Sequence, residues 1–285
     1  MGEQRQRTLA REVTLQGITL HGGRKTSMTL RPGRPDSGIV FRRGAVAVAA
    51  HWRNALESPL CSSLRLPDGT VVRTVEHLLT AFVAADIDNA EVLLDGDEVP
   101  ICDGSAAPLL ALIDQAGSAE QEQPRARLRV TRPFSFKRGG SAFRIRPAAK
   151  TSLKLSVSFS GFGRLGWEGA LTPEVLRDHV VAARTFGFLP EALLGCVFGR
   201  FRNPPLLRGG SLRTALVVVG KHPVNPSTMP VQDELVRHRV LDAVGDLALA
   251  GAPLLGAISI YGTRHAFIRA ALEALFATPD ILARE

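Results

Sequence analysis

Three titratable residues, His238, Asp242 and Asp246, recur at four-residue intervals in one stretch of this chain. From about Asp233 to Ala250, Val236, Val240, Ala243, Val244 and Leu247 supply the buried side of a helix. An i, i+4, i+8 spacing then puts the three polar groups on one nearly straight ridge, rising roughly 6 Å per step. Such a ridge is costly in an apolar core unless its groups are paired. The helix is bounded by Gly251-Ala-Pro253, with apolar Ile258 and Ile260 beyond. The polar face is therefore expected to turn toward another domain rather than toward bulk water.

A second helix is expected over Thr74 to Ala85, where Val75, Leu78, Leu79, Phe82 and Val83 fall at i, i+3, i+4, i+7 and i+8. Glu76 and His77 lie off that stripe in the first turn. There, unpaired N–H groups and the positive dipole end favour a carboxylate and oppose protonation of an imidazole, and a neutral imidazole is the form that binds metal. A His and an Asp four apart on a helix more often make a solvated ion pair than a metal site, and spacing leaves both readings open. Taken together, His77, His238 and Asp242 form a ligand set suited to Zn²⁺ with an open fourth position. Glu76 would be the unligated base beside it.

His265 follows the strand-like run Leu255 to Tyr261 and is expected at a strand end or loop. As a cation it could protonate a leaving amine, with Asp246 orienting it. Other candidates are weaker. Gly209-Gly210-Ser211 has no following Lys and is not a phosphate-binding loop, Ser211 lacks a nucleophile-elbow pattern, and Gly139-Gly140 marks a hairpin turn. His51, His179 and His222 are expected to be structural or exposed, and His21 is ambiguous.

The chain has 285 residues, 45% of them apolar, which is enough for two cores of ordinary size. The polar segment Gly117 to Pro124 is the best linker candidate, dividing residues 1–120 from 125–285. Strand-like segments Gly38 to Arg42 and Ala90 to Leu94 and a helical run Ala107 to Ala116 precede it. After it, Leu153, Leu155, Val157 and Phe159 alternate with Lys154, Ser156 and Ser158, the period of a half-buried strand. The expected class is α+β, two domains of mostly antiparallel sheet with helices on one face.

The formal charge of +8 suits polyanions, anionic membrane surfaces or phosphate-bearing substrates. Nucleic acid is disfavoured, since Tyr261 is the only tyrosine and no reading motif occurs. Cys61, Cys102 and Cys196 are odd in number and unpaired in spacing, which argues for a reducing compartment. With no apolar leader and no run of 18 apolar residues, the expectation is a cytoplasmic monomer with at most peripheral contact with the inner membrane.

Eight segments, in order, carry a resemblance: Gln6 to Leu9, Gly17 to Gly23, Thr74 to Leu79, Ile87 to Ala90, Glu98 to Ser105, Arg184 to Phe188, Gly209 to Leu212 and Asp233 to Leu247. They resemble the signatures of the UDP-3-O-acyl-N-acetylglucosamine deacetylases, zinc enzymes that commit a UDP-sugar to lipid A biosynthesis. The resemblance implies two similar α/β sandwich domains packed face to face with the active site between them. It also implies Zn²⁺ on His77, His238 and Asp242, Glu76 as base, His265 as acid and Asp246 as its support. Thr185 would stabilise the oxyanion, and Phe186 and Arg239 would line the substrate site. The chain departs from the family's pattern at Arg239, usually Lys, at Thr263-Arg264 before His265, and over Val157 to Trp167 and Val197 to Pro205. Those changes spare the metal and base and touch the substrate walls. Two other functions stay open: deacetylation of another acetylated amino-sugar, and sugar-nucleotide binding without catalysis.

Overall fold

A computed structural model of the chain describes residues 4–189, 191–199 and 201–285. Its helices are α1 (Glu76–Ala84), α2 (Ala107–Ala116), α3 (Pro173–His179), α4 (Glu191–Gly199), α5 (Val231–Ala248) and α6 (His265–Ala277). Two five-stranded sheets organise the molecule. In the first, the spatial order is Val13–Ile18, Lys25–Pro32, Ala90–Leu94, Ile39–Arg43 and Val46–Ala49. In the second it is Phe134–Arg138, Ser141–Arg146, Ala257–Tyr261, Ser152–Phe159 and Gly163–Ala170. Every pairing is antiparallel except the one between the central strand and the third strand in chain order, which is parallel in both sheets. The halves therefore share one topology, two hairpins whose inner members flank a central strand that comes late in the half. Helix α1 precedes that strand in the first half and α2 follows it; α5 and α6 do the same in the second. This is the α+β architecture of two sheet-and-helix modules expected from the sequence.

Local chemistry sets these elements. In Ser152–Phe159, Leu153, Leu155 and Val157 are buried while Lys154 is exposed, as a period of two requires. Gly139 and Gly140, at φ 54° and 81°, close the tight hairpin from Arg138 to Ser141. Segment 117–124 departs from expectation: Ser118–Pro124 is a strand paired antiparallel with Arg5–Leu9, not an irregular linker. Polar residues on both faces hide it from any apolar period. It is held by its ladder and by Gln121, which accepts from Asn89 Nδ2 at 2.7 Å and donates to Gly33 O at 2.9 Å.

Where the modules meet, α1 lies across α5. A Cβ at Gly245 would stand 2.1 Å from the carbonyl oxygen of Glu76, so only glycine permits this approach. Thr80 Oγ1 donates to Leu241 O across the same crossing at 2.7 Å. Because α1 packs on α2, α3 and α5, every residue in it except Val83 is buried, more than a one-sided stripe implies. Three small three-stranded sheets complete the frame, one of them in the order Leu254–Leu255, Leu128–Val130 and Leu282–Arg284. Ala55–Leu56, Ser63–Arg65 and Val71–Arg73 precede α1, and Phe186–Phe188, Leu216–Val219 and His222–Pro223 precede α5. No helix among the described residues is long and apolar enough to cross a membrane.

Candidate metal centre

The α1–α5 crossing brings two imidazoles and a carboxylate to one buried point. His77 comes from the first turn of α1, and His238 and Asp242 come from successive turns of α5. Asp242 Oδ1 lies 3.3 Å from His238 Nε2 and 3.9 Å from His77 Nε2, and one ligand atom from each residue fits within 4.8 Å of the others. Tetrahedral ligand atoms about 2 Å from zinc sit roughly 3.4 Å apart, close to those separations. Burial holds the His77 imidazole down to about 3, helped by neighbouring His238, and burial also lowers His238. Both rings are thus neutral at pH 7, as metal ligation demands. His238 Nδ1 stands 3.1 Å from Ala183 O, so it carries the proton and leaves the Nε2 lone pair facing Asp242. Burial pushes Asp242 up, but His238, His265 and Arg239 outweigh it and hold the carboxyl below its ordinary range. Donor types, tautomer and protonation all fit Zn²⁺ with a position left for a small oxygen ligand.

Glu76, one residue before His77, sits on the other side of this point. Burial raises its carboxyl well above the ordinary carboxylate range. Ser62 N–H donates to its Oε2 at 2.9 Å, while Oε1 lies 3.9 Å from His265 Nε2. His265 Nδ1 is 2.9 Å from Asp246 Oδ2, and Ser62 Oγ donates to Asp246 Oδ1. Burial pulls the imidazole of His265 down, yet the Asp246 carboxylate overrides it and raises the group well above its usual value. His265 was expected in a loop. It is instead the first residue of α6, where the helix dipole opposes a cation, and the Asp246 pair compensates for that placement.

The remaining expected residues lie on the segment running past His238. The Phe186 ring packs edge-on against His238 with centroids 5.8 Å apart, and the Arg239 guanidinium stands 4.9 Å over the same ring. Arg239 also donates to Asp242 Oδ2 at 3.0 Å. Thr185 directly precedes Phe186, and its N–H donates to Gly104 O at 2.6 Å. This segment is fastened to α5 by a pair that residue patterns alone did not single out. Arg184 Nε donates to Glu234 Oε1 at 2.7 Å, its Nη2 to Oε2 at 3.2 Å, and Ser227 Oγ reaches the same carboxylate. Glu234 is 1% exposed and lies one turn before His238, so the clamp fixes Ala183 O where it orients the ligand. Glu234→Gln is expected to weaken zinc binding by about 10-fold or more, the scale for outer-shell partners. Competition against a chelator measures it, and wild-type affinity would remove the clamp from this role.

Ser62 and the Ala183 carbonyl were invisible in the sequence, because neither sits in a ligand-like pattern. His21, ambiguous there, is fully buried; its ring nitrogens have no hydrogen-bond partner among the described residues, and burial lowers its pKa to about 4. His179 and His222 are exposed, and Cys61, Cys102 and Cys196 are free thiols.

A family model for UDP-3-O-acyl N-acetylglycosamine deacetylase matches residues 6–277, spanning both modules and every residue of this centre. The chain belongs to that deacetylase family. Similar proteins named UDP-3-O-acyl-N-acetylglucosamine deacetylase occur in Myxococcus xanthus, 39% identical over 92% of this chain and 83% of the relative. In Anaeromyxobacter sp. the identity is 37% over 96% and 89%, and in Syntrophotalea carbinolica 35% over 96% and 89%. For this deacetylase, the departures from the family pattern fall around the metal point rather than on it. The Arg239 guanidinium stands over the Phe186 ring, and Arg264 immediately precedes His265 at the start of α6 without a side-chain cap bond.

Proposed function

We propose that the chain hydrolyses the N-acetyl group of UDP-3-O-acyl-N-acetylglucosamine, releasing acetate in lipid A biosynthesis, with Zn²⁺ held by His77, His238 and Asp242. The observation that carries this is the meeting of that buried donor set, two neutral imidazoles and a carboxylate, with a buried carboxyl and a cationic imidazole 3.9 Å apart. When bound, Zn²⁺ supplies Lewis acidity to the amide oxygen and to water. The protein's groups divide the remaining work. Glu76 Oε1 takes the proton from the attacking water; its raised pKa makes it a better base at neutral pH than an exposed glutamate. His265 Nε2 delivers a proton to the departing amine, and Asp246 keeps Nδ1 bonded so that Nε2 faces the substrate. Thr185 hydrogen-bonds the oxygen that gains charge in the tetrahedral intermediate. Phe186 and Arg239 bound the sugar side, Arg239 offering its fork to the diphosphate.

The fitting experiment is an acetate-release assay comparing UDP-3-O-acyl-N-acetylglucosamine with UDP-N-acetylglucosamine and other acetylated sugars. Turnover of the acylated substrate alone is expected; turnover of only a non-acylated sugar contradicts the reading. Residues 1–120 and 125–285 are the two units, with the rest of the strand Ser118–Pro124 closing the first against Arg5–Leu9, and the protein works as a cytoplasmic monomer without nucleic acid.

pH dependence follows from the two raised groups. Activity needs Glu76 deprotonated and His265 protonated, so both limbs of the kcat/KM profile are expected above the ordinary values of about 4.3 and about 6.5. Asp246→Asn removes the charge that favours the imidazolium, so the alkaline limb moves down toward about 6.5. An unmoved alkaline limb in that variant would separate Asp246 from His265 protonation.

A further inference from the structure

We propose that the outward face of α4, with the turn that follows it, docks on an anionic lipid bilayer. The helix is amphipathic in the inverse sense. Its small residues Ala192, Gly195, Cys196 and Gly199 face the protein, where a Cβ at Gly199 would stand 2.3 Å from Leu206 O, and one at Gly187 would stand 2.7 Å from the Ala192 side chain. Its large residues Leu193, Leu194, Val197 and Phe198 face out, with Phe198 66% exposed. Phe201 is 86% exposed and its N–H donates to Phe198 O, which ties the second aromatic to the same face. A helix that packs through glycine and shows leucine and phenylalanine to the outside resembles an interfacial helix more than a surface helix of a soluble protein.

Charge selects the occupant. Over residues 191–223 the chain carries Arg200, Arg202, Arg208, Arg213 and Lys221 against Glu191 alone. Of these, Arg202, Arg208, Arg213 and Lys221 are exposed. An apolar centre within a basic segment complements anionic headgroups over acyl chains. A second copy is disfavoured, because a two-fold contact would set this basic segment against itself. Through Gly187, α4 packs on the Phe186–Phe188 strand, whose first residue touches His238, so docking would set the substrate side of the centre near the bilayer.

The test is co-sedimentation of the zinc-loaded protein with phosphatidylcholine vesicles, with and without phosphatidylglycerol. Binding is expected only with the anionic lipid and is lost as salt rises past the screening range. In the Phe198→Ser/Phe201→Ser variant, binding should fall roughly tenfold or more, the scale for withdrawing two phenylalanines from an apolar phase. Zinc content and circular dichroism should stay unchanged, so failure here is distinct from failure of the deacetylase reading. Absence of binding by the wild type at low salt overturns the proposal, as does undiminished binding by the double variant. Concentration-dependent dimerisation that the same variant abolishes, without vesicle binding, assigns the face to a second copy instead.

Discussion

Glu76→Ala is expected to keep its zinc and lose activity by about 10²–10⁴-fold in kcat, the range spanned by a positioned general base. The residue is next to a proposed metal ligand in sequence and brings an oxygen within 4.8 Å of ligand atoms of Asp242 and His265, but it is outside the His77, His238 and Asp242 set, and its carboxylate faces His265 and the Ser62 N–H. Removing it therefore takes away the proton acceptor without taking away a donor atom. Burial makes the effect large. No exposed carboxylate can substitute at that position, and a cavity left by alanine admits water that has no base to deprotonate it. Zinc content by metal analysis together with steady-state kinetics separates the two functions; loss of zinc alongside activity would reassign Glu76 as a ligand.

Gly245→Val is expected to destabilise the protein by about 3 kcal/mol or more and to cut zinc affinity with it. The Cβ position at Gly245 lies 2.1, 2.7 and 2.8 Å from three backbone atoms of Glu76, and backbone cannot move aside as a side-chain tip can. Any added carbon pushes α1 from α5, and the push falls on the residue preceding His77. His77 would then withdraw from His238 and Asp242, which stay together on their own helix. Chemical denaturation measures the first loss and chelator competition the second. Near-wild-type values for both would mean that the crossing does not set the metal geometry.

The elements most legible in the sequence were those whose apolar period was undiluted. Ala107–Ala116 forms the helix expected over the same residues, and Ser152–Phe159 the strand. The ridge of His238, Asp242 and Asp246 was legible because a helix fixes i, i+4 neighbours whatever surrounds it. That the ridge meets Glu76 and His77 was not, since the meeting depends on Gly245, a residue whose meaning lies in the backbone opposite it. Helix α6 was missed at His265 because its N-cap residue, Arg264, makes no side-chain cap bond, and so the usual start signal is absent. Ser118–Pro124 was missed because a polar edge pairing leaves no hydrophobic trace. Ser62 and Ala183 act through a backbone N–H, a hydroxyl and a carbonyl, and so no pattern of residue types can announce them.

The proposed mechanism requires one zinc on His77, His238 and Asp242 for acetate release from UDP-3-O-acyl-N-acetylglucosamine. Its most direct test strips the protein with a chelator, then titrates Zn²⁺ back while acetate release is followed. Activity should vanish on removal and return linearly to a plateau at about one zinc per chain, as a three-ligand site requires. Acetate release by the metal-free protein at the undiminished rate, or none from this substrate at full zinc loading, would contradict it.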